Sequence, residues 1–509
     1  MIKLKARPED FVVEEDADLP FRKDGNFCVY LLKKRGWNTV DVLKNIAKKL
    51  SLPYADFSYG GKKDKYALTS QYITIARQGY ERAHLSASHA LRGEDGGGVK
   101  SPQPVHRRNS RCPSAITSAD IEKLIPTTLG KENYALKFVG YMERPMGPDL
   151  IKGNRFRIVV RNLTGHELKS ALNELEVVRR DGYPNYFDDQ RFGSYDSRQG
   201  FVAEKILKKH YNGALKLYFS GIHPEDSNEE KERRKFFYEN WGNWQECLKG
   251  AAGKFEKEAF RYLEKHPGGF IPILQRISHE KMVLFFSAYQ SHLWNEVLRK
   301  IIRSVSGDSS MLGNSKAEIL RRFTAQKDTI RHSEQCEESD SIIRNSKLMT
   351  SPLKRGDEGV CKNAFDTPPA PLTRGELVSR CQKQPNLKIS TGIAGDYLFY
   401  TQVDDRSKAY LSTLVIPMPA SNIKMPDAFT RNFFSEVLAE HDLKTGMFNI
   451  RKIRQAFFKG IERKAVIYPE NLFIEHANDE MYPGRKKLTL QFFLPRGCFG
   501  TMLVKRLVC

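Results

Sequence analysis

The chain has 509 residues, 40% hydrophobic and 28% charged, with a formal net charge of +22 at pH 7. That length allows two or three domains of roughly 150 residues each. No run of about 18 apolar residues is present, which excludes a membrane-spanning helix. A balance this basic points to a polyanionic partner, most often nucleic acid, and says nothing of chemistry. The eight cysteines form no CxxC pair and no Cys/His cluster at zinc spacing, so neither a disulfide framework nor a metal site is expected. The N-terminus, MIKLKARPEDFVVEED, lacks the apolar stretch of a secretory signal, and the expected compartment is the cytoplasm.

Along the chain, Cys28 to Leu32 reads as a strand. Thr39 is then expected to cap a helix whose Val42, Leu43, Ile46, Ala47 and Leu50 share one face. A charged turn follows, SYGGKKDKYALTSQY (58–72), with one carboxylate, Asp64, among Lys62, Lys63 and Lys65. SQYITIAR (70–77), GNRFRIVVRNL (153–163) and KKLTLQFFLP (486–495) have the β-branched, aromatic and alternating character of strands. In the last, the period of two puts Leu488, Leu490, Phe492 and Leu494 on one face. The stretch from 201 to 300 is more helical. Segments 85–118 and 326–377 are rich in small, polar and charged residues without a sustained period, and disordered or loosely attached loops are expected there. Nearly all of the positive charge falls outside these two segments. Strands and helices do not alternate as βαβ units, so the fold class reads as α+β.

The turn at 58–72 lacks the second glycine and the Ser/Thr of a phosphate-cradling loop, and its glycines lead towards a strand rather than a helix. HExxH, GxSxG and EF-hand patterns are missing as well, which disfavours metal- or nucleotide-dependent chemistry. A carboxylate acting without a cofactor remains open, because neighbouring cations can hold Asp64 ionised as a nucleophile or general base. A solvated mixed-charge loop explains the same residues. The second informative stretch is GYPNYFDDQRFGSYDS (182–197), where Asn185, Tyr186, Phe187, Gln190, Arg191 and Phe192 combine ring faces with amide and guanidinium donors. Those groups suit an extruded base, which is held by stacking and by hydrogen bonds to its edge. An aromatic core segment with one structural arginine accounts for them too.

GGKKDKYALTSQ (60–71) resembles the AGxKDxxAxTxQ motif of the TruD family of tRNA pseudouridine synthases, and PNYFDDQRFG (184–193) is similar to that family's PNYFGxQRFG. Four more stretches agree in order: LKARPEDFVVEE (4–15), IKGNRFRIVVR (151–161), SAYQSHLWNEVL (287–298) and LQFFLPRGCFGTMLVKRL (490–507). The resemblance implies an isomerase that converts uridine to pseudouridine in tRNA, at position 13, with no metal or organic cofactor. It implies a catalytic domain around a mixed, mainly antiparallel sheet, built from 1–211 with 468–509, and an inserted family-specific α/β domain over 212–467. A basic cleft between the two would hold tRNA.

Carried over residue by residue, Asp64 matches the catalytic aspartate, Lys5 the lysine that pairs with it, Phe187 the ring that stacks on the target base, and Asn185 an active-site amide. Gln190 and Arg191 join them as donors. Lys62, Lys63 and Lys65 are read as phosphate contacts or a general positive field. The chain departs from the family pattern at Asp188, where a glycine is usual, and at Cys498 and Gly500, where serine and alanine are usual. A monomer without membrane attachment is expected. The alternative from a different class is a tRNA-binding folding factor with weak or lost isomerase activity.

Overall fold

The structure is a computed structural model that describes residues 1–77, 125–130, 132–223, 226–307, 381–384, 386–454 and 457–509. Segments 85–118 and 326–377 lie outside the described residues. The described chain forms two compact units, one drawing on 1–186 and 467–509, the other on 187–307 and 382–466.

The first unit is organised by one sheet. Its strands are β1 (Lys3–Leu4), β2 (Phe11–Ala17), β3 (Phe27–Arg35), β4 (Phe57–Tyr59), β5 (Leu68–Ala76), β6 (Tyr134–Met142), β7 (Ile151–Leu163), β8 (Glu470–Asn478) and β9 (Lys486–Pro495). They run in the order β8-β9-β7-β2-β5-β3-β6, with β1 added beside β7 and β4 beside β5. β2 and β5 pair in parallel, and the other pairings in the sheet are antiparallel. The sheet is therefore mixed and mainly antiparallel, as expected for an α+β fold.

The helix Thr39–Lys49 lays Val42, Leu43, Ile46 and Ala47 onto Leu32, Ile73, Ile75 and Leu136 of the sheet. This is the apolar stripe read from the sequence, but its start differs from expectation. Asn38 is the N-cap residue and Thr39 the first helical one. The Thr39 hydroxyl donates to Gln71 instead of closing the helix end, because a buried glutamine and a neighbouring loop compete for it. In β9, Leu488, Leu490, Phe492 and Leu494 are all buried on one face, as the alternation requires. Phe492 stacks on Phe156 at 5.3 Å between centroids. A Cβ on Gly500 would come within 2.9 Å of the Phe156 ring, so the departure from the family's alanine makes room for that ring.

The second unit is built on the 27-residue helix His279–Val305. Helices Tyr211–Ser220, Asn228–Glu239, Trp244–Lys249 and Lys254–Lys265 share an aromatic core of Phe219, Phe237, Trp241, Trp244 and Phe260. Among its short strands, Leu387–Ser390 pairs antiparallel with Tyr397–Tyr400 and has Cys381–Gln384 on its other side, and Val415–Pro417 pairs antiparallel with Glu462–Lys464. Among the described residues no helix is long and apolar enough to cross a membrane.

Candidate active site

Asp64 lies on the loop between β4 and β5 in the first unit. The loop leaves β4 through Gly60, where a Cβ would fall 2.3 Å from Ile151 and 3.0 Å from the Gly147 carbonyl, so a side chain is excluded by close packing. Beyond it the loop is fastened by buried polar groups. Gln71 donates to the Gly61 carbonyl at 3.0 Å, and the Lys63 amide donates to the Thr39 hydroxyl at 3.1 Å. From below, Lys34 of β3 donates through Nζ to the carbonyls of Asp64 at 2.7 Å and Lys63 at 3.3 Å. The Asp64 carboxylate is about one-sixth exposed, and Lys5 forms an ion pair with its Oδ2. The Tyr66 amide donates to Oδ1 at 2.8 Å. An ammonium and a backbone N–H on opposite oxygens both complement a charged carboxylate and fix its plane.

Lys5 reaches Asp64 by a backbone arrangement that a lysine seldom adopts. Its φ is +57°, in the left-handed region. Such a conformation persists where the surroundings enforce it. Here β1 pairs with β7 on one side of Lys5, and Asp10 is clamped on the other by Arg161, with hydrogen bonds of 2.9 Å to both carboxylate oxygens. Arg161 and Asp10 are each 1% exposed, and Arg161 also binds Asp479 and Glu480. Burial works against the Arg161 charge, but these carboxylates outweigh it and raise its pKa. The Lys5 ammonium also sits 4.4 Å from the centre of the Phe11 ring.

Lys63, read from the sequence as a phosphate contact or part of a general field, has its ammonium 2.7 Å from Glu15 and 2.7 Å from the Asn154 amide oxygen. Lys62 and Lys65 are exposed. Asn185 is buried in the same unit at 3% exposure.

Phe187 belongs to the second unit, where its backbone is gripped by one side chain. Asn295 accepts from the Phe187 amide and donates to its carbonyl, both at 2.9 Å, like a neighbouring strand. The Phe187 ring meets Trp294 edge-on at 5.6 Å. The Arg463 guanidinium lies 4.0 Å from the ring centre, and Arg191 lies 5.8 Å away. Arg191 donates to Ser291 at 3.3 Å, and burial lowers its pKa. Gln290, Ser291, Trp294 and Asn295 all come from the SAYQSHLWNEVL stretch. At spacings of one and four residues they face one side of the long helix and hold other segments: Gln290 the Pro419 and Lys459 carbonyls, Trp294 the Ile416 carbonyl.

Asp188 has φ −79°, so the motif glycine's place needs no left-handed backbone and a carboxylate is accommodated without strain. Its neighbour Asp189 accepts from the Ile393 amide at 2.9 Å and the Tyr397 hydroxyl at 2.8 Å, tying the motif to the Leu387–Tyr400 hairpin. Gln190 is exposed.

The family model for tRNA pseudouridine synthase D (TruD) matches residues 1–91, 104–356 and 381–507. The chain belongs to the TruD family. As a member it is an isomerase that converts uridine to pseudouridine in tRNA. A tRNA pseudouridine synthase D of Leptospira interrogans is 26% identical over 99% of this chain and 95% of its own length. The Aquifex aeolicus tRNA pseudouridine synthase D is 28% identical over 58% of this chain and 66% of its own. A solved Methanosarcina mazei structure assigned to TruD superposes with a TM-score of 0.57 at 20% identity, covering 99% of this chain and 93% of that one, and supports the fold. None of these matches favours the folding-factor alternative. The TruD match leaves out 92–103 and 357–380, which fall within or across the ends of the two low-complexity segments, and runs through the rest of them.

Within this TruD chain, several residues around Asp64, and separately one beside Phe187, escaped the reading of the sequence. Lys34, Glu15, Thr39 and Asn154 carry no motif that marks them, although Glu15 and Asn154 lie inside stretches that resemble the family. Arg463, far along the chain in Glu462–Lys464, gave no local signal. A charge at an inward position of a strand was the available clue for Lys34.

Proposed function

We propose that the chain isomerises the uridine at position 13 of tRNA, with Asp64 as the attacking carboxylate. The observation that carries the assignment is the ion pair of Asp64 with Lys5, on a loop whose backbone is fixed by Lys34, Gln71 and Thr39. A carboxylate held in one plane can meet a base that has been turned out of its stack without first being reorganised. The C1′–N1 bond breaks, the uracil turns, and C5 joins C1′. The hydrogen on C5 leaves, and N1 ends protonated. Phe187 stacks on the target base, and Asn185 orients base or carboxylate. Gln190 and Arg191 contribute further donors. The exposed Lys62 and Lys65 meet phosphates, whose contacts give position without sequence. The enzyme acts as a cytoplasmic monomer on tRNA.

The test uses purified protein and tRNA carrying tritium at uridine C5, with release of the label as readout and the modified position mapped in the product. Release that disappears when uridine 13 is replaced by cytidine supports the assignment. Release unaffected by that replacement overturns the position, and no release from any tRNA overturns the activity.

A further inference from the structure

Three lysines converge on the Asp64 loop, and their ammonium groups have different partners. Lys5 binds the Asp64 carboxylate and Lys63 binds Glu15. Lys34 is 0% exposed, and among the described residues its hydrogen bonds go to two main-chain carbonyls, those of Asp64 and Lys63, with no carboxylate in ion-pair reach. A buried ammonium without a counter-ion is costly, and a neutral donor would satisfy two carbonyls at lower cost. A fold that keeps a full charge there has a use for it.

We infer that Lys34 is a positioning residue for the isomerisation: its buried charge draws the carbonyls of residues 63 and 64 down, aims the Asp64 carboxylate, and supplies the uncancelled positive field that keeps it ionised. The inference rests on the role of Asp64 proposed above.

The surroundings define how this charge behaves. On the sheet Lys34 stands between Thr69 of β5 and Tyr134 of β6. From the loop it faces Asp64 and Lys63. Its chain neighbours Lys33 and Arg35 alternate to the opposite face, and Arg35 is taken by Glu9 and Asn133. Burial lowers the Lys34 pKa to about 8, with Asp64 opposing the shift and Lys63 adding to it. Below that pH the ammonium is charged and the loop is set. As pH rises through it, Lys34 loses its proton and the rate falls.

The experiment measures single-turnover pseudouridine formation and tRNA affinity for the wild type and Lys34→Met from pH 6.5 to 9.5. At pH 7 the variant is expected to lose about 10- to 100-fold in rate while its tRNA Kd stays within about threefold. Its profile should lack the alkaline decline expected of the wild type near pH 8. Titration of the tRNA itself is common to both proteins and cancels in their ratio. A variant with the wild-type rate and the same alkaline decline overturns the inference, as does a rate loss matched by weaker tRNA binding. If Lys34→Met does not fold, Lys34→Arg carries the test. It keeps the donors and a charge that persists far above pH 8, so activity at pH 7 with the decline moved upward supports the role, and an unmoved decline refutes it. A wild type inactive on tRNA would instead sink the functional assignment, so the two failures are distinguishable.

Discussion

Around Asp64 the neighbouring charges pair with carboxylates and carbonyls, and around Phe187 a ring, an amide and two guanidinium groups surround an aromatic face. Lys5, Lys34 and Lys63 gather on the aspartate loop, yet one of them alone pairs with its carboxylate, while the others bind carbonyls or Glu15. Phe187 is instead placed by an asparagine that copies a strand, an edge-on tryptophan and two guanidinium groups. The difference fits what each region is proposed to do. A carboxylate must stay ionised and aimed, which charge and backbone donors achieve. A ring that grips a turning base needs a fixed plane and a surface that tolerates rotation, which packing provides.

Mutation should separate the two regions. The larger effect is expected from Lys5→Met, with single-turnover rates about 100-fold lower and tRNA binding within about threefold, because Lys5 is ion-paired with Asp64 and is proposed to act on it rather than on RNA. Equal losses in both would argue against that role. Phe187→Ala should remove one stacking surface for the base, worth about 1–3 kcal/mol, seen in both rate and affinity for a tRNA carrying the target uridine. An effect on rate alone would place Phe187 with the Asp64 machinery and blur the contrast. The smallest effect belongs to Lys62→Ala combined with Lys65→Ala. Rates at saturating tRNA should hold, while the slope of log affinity against log salt falls by about 0.7–0.9 for each phosphate that no longer meets a lysine. An unchanged slope would remove both lysines from the RNA interface.

Much of this was legible in the sequence, for identifiable reasons. Period-two alternation in 486–495 and the stripe from Val42 to Leu50 are local signals, and the structure keeps both because burial enforces them. The Asp64 turn and the 184–193 stretch drew attention by residue type, but it was the resemblance to the family's motifs that gave them a proposed role. What escaped was long-range. Thr39 has the residue type of a helix cap, and only the fold brings Gln71 and the Lys63 amide to its hydroxyl. Lys34 reads as part of a basic run at a strand end, and its 0% exposure depends on which face the sheet buries there. The left-handed backbone at Lys5 has no signature in LKARPED, since Arg161, far away in sequence, supplies the clamp that maintains it.

In the proposed mechanism the Asp64 carboxylate carries the chemistry, and its surroundings keep it charged and aim it. Asp64→Asn preserves size and leaves the Tyr66 amide an oxygen to donate to, and it removes the charge. Single-turnover tritium release from C5-labelled tRNA, measured with the folded variant at saturating protein, tests this directly. The expected result is a loss of at least about a thousandfold with tRNA still bound. Release at the wild-type rate would contradict it.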